Sequence, residues 1–378
     1  FPTSIAHGID IRTTASGLSE VTFYDAADNG KTNYKYELMN WPEEAKQAVM
    51  EAMVITENTL QIKHTMHVAF IWTPDLDNKR YLAVTHSSYV NIKGFSGFGV
   101  DLYEDYKYPA ELIHQLVGNP VYDDINIVIA FNSVKNWCYS SSKKPAVYQQ
   151  DLITVTLHEL SHGFGINSSF NKNDEKMPYI FDKYICNERG EQITDDLYAA
   201  TKANIASELT DTDLYYCGAL GKKSNGDQPI RLHMPSTLSS ASICHFDMIY
   251  ENDERGRLLI TGTTYGVSTR FFGNFALGIF QDLGWKLHKK TRSDFFSGLK
   301  SITTANEDIE QNNISISTGK GSIQIDLNTF DQQQIAIYTV SGHLVRNEVI
   351  SGFASYNVPS NQIYIIRIGN KTKKVMVN

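Results

Sequence analysis

Residues 151–162 read Asp-Leu-Ile-Thr-Val-Thr-Leu-His-Glu-Leu-Ser-His, a helix that carries two histidines on one face. Asp151 suits the N-cap, and Gly163 and Gly165 follow as stop signals. Just upstream, residues 125–132 (Ile-Asn-Ile-Val-Ile-Ala-Phe-Asn) are apolar and β-branched, the clearest strand of the first half. The pair predicts an α+β domain, a twisted sheet with an active-site helix. Residues 42–60 read as a second amphipathic helix, with Pro42 in its first turn and Ala45, Val49, Met53 and Leu60 at helical spacing. Met66–Trp72 reads as a buried strand, 103–120 as mixed loop and short helix, and 274–283 as a short helix ended by Gly284.

His158-Glu159-Leu160-Ser161-His162 has the H-E-x-x-H spacing. On a helix, positions i and i+4 share a face, so both imidazoles can bind one zinc ion. The glutamate between them can take a proton from a zinc-bound water, whose pKa the metal lowers toward ~7. With 11 histidines in 378 residues, a chance match is on the order of one in a hundred, and the helical context lowers it further. A catalytic zinc takes three protein ligands and keeps one position open. Ser168 stands where the long metzincin pattern puts its third histidine, and the helix at 274–283 offers only Asp282. Of the downstream histidines, His245 lies among small and polar residues with Asp247 as a possible supporting partner, and is the favoured third ligand. His233, an acidic residue and Asn167 remain alternatives.

A net charge of −8 gives no nucleic-acid footprint, and the longest apolar runs are far short of the ~20 residues that span a bilayer. The chain begins at Phe1, as expected after removal of a signal peptide. Four cysteines with no C-x-x-C pair suit two disulfides in an exported protein. Cys186–Cys217, closing a short loop, is the preferred pair, and it leaves Cys138 with Cys244. Beyond about residue 290 the texture changes. Residues 299–313 are polar and aperiodic, a linker between a domain at 1–298 and one at 314–378. In the latter, alternating runs (Ile323/Ile325/Leu327, Ile335/Ile337, Tyr364/Ile366/Ile368, Val375/Val377) are separated by Ser341-Gly342, Ser351-Gly352 and Gly369-Asn370, which predicts a small all-β sandwich.

Together the stretches Asp124–Ser133, Trp137, Asp151–Gly165, Ser239–Asp247 and Phe280-Gln-Asp-Leu-Gly-Trp285 resemble a family of secreted bacterial zincin metallopeptidases whose motif is H-E-x-x-H-G-x-G. Ile166 stands where that family has Phe, and a Cys precedes His245. The resemblance implies a zincin-like catalytic domain, zinc as cofactor, and an edge strand (125–132) lying along the cleft and pairing with peptide substrates. Residues 314–378, with Ile335–Val345, Gln362–Ile368 and Lys373–Val377, resemble the C-terminal sorting domain of the Bacteroidetes type IX secretion system. That implies engagement of the secretion machinery and a location outside the cell or on the outer-membrane surface. The expected activity is that of a secreted, monomeric zinc endopeptidase with Glu159 as general base and His158, His162 and His245 as metal ligands. A tyrosine is the expected oxyanion donor, Tyr179 or Tyr184 being candidates downstream of the helix. The alternatives are an inactive adhesin on the same scaffold, which has no need of Glu159, and a zinc hydrolase of non-peptide bonds.

Overall fold

The computed structural model describes the chain outside segments 1–7, 27–35, 77, 79–80, 94–101, 119–124, 171–176, 195–212, 235–240, 263–264, 293 and 296–314, and outside 320, 328–332, 340–342, 352, 361, 369–370 and 378. Two compact units result, Phe1–Phe295 and Phe296–Asn378. The expected linker at 299–313 lies outside the described residues, as do Ser341-Gly342, Gly352 and Gly369-Asn370.

In the first unit, β1 (Ile9–Thr13), β2 (Ser19–Tyr24), β3 (Met66–Thr73), β4 (Ala83–Ser87) and β7 (Ile127–Asn132) form a five-stranded sheet. Two-stranded pieces are made by β5 (Tyr89–Asn91) with β6 (Lys107–Pro109), and by β8 (Trp137–Cys138) with β9 (Gln150–Asp151). The order is β1-β2-β3-β7-β4, with β2, β3 and β7 parallel and the two outer strands antiparallel to their neighbours. Helix α1 (Glu43–Thr59) connects the parallel strands β2 and β3, and α2 (Ala110–Val117) lies between β3 and β7 in the chain. Parallel neighbours need such crossovers, because a hairpin cannot join strands that run the same way.

One face of the sheet presents Val21, Phe23, Val68, Phe70, Ile127, Ile129 and Phe131, all fully buried. Against this face packs α3 (Leu152–Gly163), every residue of which is buried. Gly163 makes the approach possible, since a Cβ there would stand 2.9 Å from Ile127 Cγ2. The other face carries a separate cluster of Tyr24, Ala69, Ile71, Val128 and Ala130 with Leu38 and Leu76.

Strand 125–132 is present, but not at the edge: β7 sits between β3 and β4, and all six of its residues are buried. Its continuous apolar run is the mark of a strand covered on both faces. The edge belongs to β4, Ala-Val-Thr-His-Ser, which is half-exposed and has no hydrophobic run to betray it.

Downstream, β10 (Ile185–Cys186), β11 (Tyr215–Tyr216) and β12 (Ile230–Arg231) make a small antiparallel sheet, followed by α4 (Ala219–Ser224) in chain order between the last two strands and by α5 (Asn274–Leu283). Gly284, in the left-handed conformation, ends α5 where the sequence placed its stop. Trp285 then donates its indole N–H to the Phe164 carbonyl at 2.8 Å, joining the end of α5 to the end of α3.

The second unit is all β. Strands β13 (Ser315–Gly319), β14 (Ser322–Asp326) and β17 (Phe353–Asn357) form one sheet; β15 (Gln333–Thr339), β16 (Leu344–Ile350), β18 (Gln362–Ile368) and β19 (Lys371–Val377) form another, ordered β16-β15-β18-β19. The predicted residues Ile323, Ile325, Leu327, Ile335, Ile337, Tyr364, Ile366, Ile368, Val375 and Val377 share one core between them.

Cys186 and Cys217 form a disulfide. Cys138 and Cys244 are both buried and form no disulfide, against the expected second bridge. Cys138 pairs with Asp151 at the start of α3, whereas Cys244 lies beside His245 in the lining of the cleft. Ellman titration of denatured, unreduced protein is therefore expected to find two thiols per chain, neither four nor none.

Candidate metal centre and active site

Two segments bring the histidines together. His158 and His162 stand one turn apart on α3, whose start is fixed by the Asp151 side chain accepting from the Thr154 N–H at 3.1 Å. Arg270 pairs with the same carboxylate at 2.6 Å and neutralises its buried charge. His245 arrives on the loop before a single 3-10 turn (Met248–Tyr250), and is held by bridges from Phe246 to Leu232 and Ile260.

The three Nε2 atoms lie 3.0, 3.2 and 3.3 Å from one another. Each Nδ1 faces a backbone carbonyl instead: Leu258 at 2.7 Å for His158, Ile166 at 2.8 Å for His162 and Ala241 at 2.8 Å for His245. A carbonyl can only accept, so each ring carries its proton on Nδ1 and turns its Nε2 lone pair inward. Three converging lone pairs repel unless a cation lies among them. A tetrahedral ion with Zn–N bonds of about 2.0–2.1 Å sets its nitrogens about 3.3 Å apart, so the donor set fits zinc in both chemistry and size. Burial keeps the rings neutral. It pushes His158 down to about 3, with His162 adding to the effect, and lowers His162 and His245 as well. Neutral imidazoles are the form that binds metal.

Glu159 is buried on the same helix. Burial raises its carboxyl to about 7, and a hydrogen bond from Thr85 opposes that rise. The centre opens into a cleft of about 450 Å³ walled by Tyr81–Thr85 on one side, with Val155, Asn167, Ala241, Thr261 and Gly262 also lining it.

The turn after α3 matters to the centre because Ile166 supplies the carbonyl that orients His162. Gly165 makes that turn at φ +113°, where a Cβ would also meet Pro109 Cγ at 2.7 Å. Gly165→Ala is expected to cost about 2–4 kcal/mol, from backbone strain together with the clash. Chemical denaturation of the two proteins side by side measures this, and an unchanged midpoint would refute it.

Other sequence candidates fall elsewhere. His233 exchanges backbone hydrogen bonds with His245 and Ile243 but is outside the converging trio. Asp247 does not support His245: it caps the 3-10 turn and pairs with Arg231 at 3.2 Å. Tyr184 donates to the Asp282 carbonyl at 2.8 Å, and Tyr179 is buried with its ring stacked on Tyr89. Neither lines the cleft, whereas Tyr81 does. Asn167 lines the cleft without joining the trio, and Ser168 is buried with its hydroxyl accepting from the Phe170 N–H. Thr85 and Tyr81 were missed because Thr85 lies within, and Tyr81 just before, a short, half-polar strand with no motif of its own.

A family model described as SPBPB7E8-like matches residues 105–218, a span that includes α3 and both of its histidines. No curated protein matches the chain.

Proposed function

We propose that this chain is a secreted zinc-dependent endopeptidase in which His158, His162 and His245 hold the metal and Glu159 is the general base. The observation that carries the reading is the convergence of three neutral Nε2 donors at 3.0–3.3 Å, each anchored through Nδ1, beside a buried carboxylate in an open cleft. Zinc held by His158, His162 and His245 would supply Lewis acidity, which would lower the pKa of a water and polarise a substrate carbonyl. Glu159 takes the water's proton as the hydroxyl oxygen attacks the scissile carbon, then delivers it to the departing amine. An extended peptide, paired in register along β4, is the substrate that suits such a cleft.

The disulfide and the resemblance of 314–378 to a type IX sorting domain support export, with the C-terminal unit engaging the secretion machinery and the mature protein acting as a monomer outside the cell or on its surface. Hydrolysis of casein by the purified chain, with and without a chelator, tests the reading alongside its metal content. About one zinc per chain and chelator-sensitive cleavage are expected. Zinc without cleavage would favour the adhesin, and no bound metal would remove the proposed centre.

A further inference from the structure

Thr85 lies on the edge strand β4, and its hydroxyl stands 2.7 Å from Glu159 Oε2 and 2.9 Å from the Glu159 backbone carbonyl. A threonine hydroxyl has one proton, so a single donor is shared between the carboxylate and the carbonyl of one residue. The other carboxylate oxygen, Oε1, accepts no hydrogen bond from the described residues.

The backbone of Thr85 faces a different way. The Asn132 N–H donates to the Leu82 carbonyl at 2.9 Å, and the register continues Ala83↔Phe131, Val84↔Ala130, Thr85↔Ile129. Hydrogen-bonded and non-hydrogen-bonded pairs alternate along an antiparallel ladder. Leu82 and Val84 therefore bond to β7, while the amide and carbonyl of Ala83 and Thr85 point to the open side. Among the described strands none occupies that side of β4. Thr85 also lines the cleft. One residue thus offers its main chain to the edge and its side chain to Glu159.

We infer that Thr85 is a positioning residue that couples capture of an extended peptide to the orientation of Glu159. This rests on the peptidase reading above. A peptide added to β4 bonds the main chain of Thr85, and the hydroxyl of the same residue fixes where the carboxylate stands. The separation between scissile bond and base is then set within one residue instead of across the sheet. Oε2 is held, and Oε1 is left to meet the attacking water. Without the hydroxyl, the Glu159 carboxylate is free to rotate, and a misplacement of about 1 Å in a catalytic group costs on the order of 10²-fold in rate.

Thr85→Val removes the hydroxyl at nearly constant volume and leaves the main chain intact, and Thr85→Ser keeps the hydroxyl. With a quenched-fluorescent peptide, Thr85→Val is expected to lower kcat about 10- to 100-fold with KM within about 3-fold, while Thr85→Ser stays near wild type. Both should carry as much zinc as wild type, and a crystal structure of zinc-loaded Thr85→Val should show the Glu159 carboxylate displaced. Thr85→Ala serves in the same assays if the valine protein does not fold. An unchanged kcat in the hydroxyl-free variant, or a Glu159 carboxylate still in place, overturns the proposal. An equal loss in Thr85→Ser also overturns it, because packing would then be the cause. Wild-type protein that binds zinc yet cleaves no peptide removes the peptidase reading and this inference with it. Active wild type with an indifferent Thr85→Val removes only this inference.

Discussion

Glu159→Gln is expected to yield a folded, zinc-loaded protein whose kcat falls at least ~10²-fold. The substitution keeps the shape of the side chain and an oxygen able to accept from Thr85, so the wall of the cleft should not move. What it removes is the ability to accept and return a proton. Glu159 does not belong to the converging trio, so metal content should stay at the wild-type level. Two measurements on one preparation decide the matter: zinc by atomic emission and turnover of a fluorogenic peptide. A variant that retains more than a few per cent of wild-type kcat would exclude Glu159 as the base.

His245→Ala is expected to behave differently, losing metal and activity together. Two imidazoles on one helical turn give a weak, incomplete site, and the third ligand closes the coordination that a hydrolytic zinc needs. Loss of an outer partner alone typically costs 10–100-fold in affinity, so loss of a direct ligand should cost at least about 100-fold. His233→Ala is the control, since that residue pairs with His245 through the backbone and lies outside the converging trio. Near one zinc per chain in His245→Ala would place the third ligand elsewhere.

The contrast between these two variants rests on residues that were legible to different degrees. The motif on α3 could be read directly, because the period of the helix fixes which residues share a face and Asp151 and Gly165 mark its limits. The helices at 43–59 and 274–283 were equally plain, each bounded by a Pro or Gly whose conformational effect is local. His245 could be singled out only by weighing the histidines against one another, because its meeting with α3 depends on chain folding over more than eighty residues. The wall of the cleft was not legible. Strand β7 had the stronger pattern and was expected at the edge, yet that very hydrophobicity requires cover on both sides and drives it inward. An edge strand tolerates polar residues, so Ala83–Ser87 carries no pattern that marks it as a strand. The second cysteine pair went astray for a related reason: composition suggests pairing, but the fold puts Cys138 beside Asp151 at the start of α3 and Cys244 next to His245 in the lining of the cleft.

The separation of the three histidines along the chain also bears on how the trio is assembled. His158 and His162 belong to one helix, whereas His245 lies 83 residues beyond His162 and is placed by bridges to Leu232 and Ile260. The turn that orients His162 is in turn tied down by Trp285, near the point where Leu287 pairs back to Leu60. A partly made chain can therefore present two imidazoles but not the closed triangle. Closing it brings together residues spread along the first unit from Leu60 to Leu287. On the proposed reading, a site that holds metal through all three imidazoles would exist only once those segments have folded against α3.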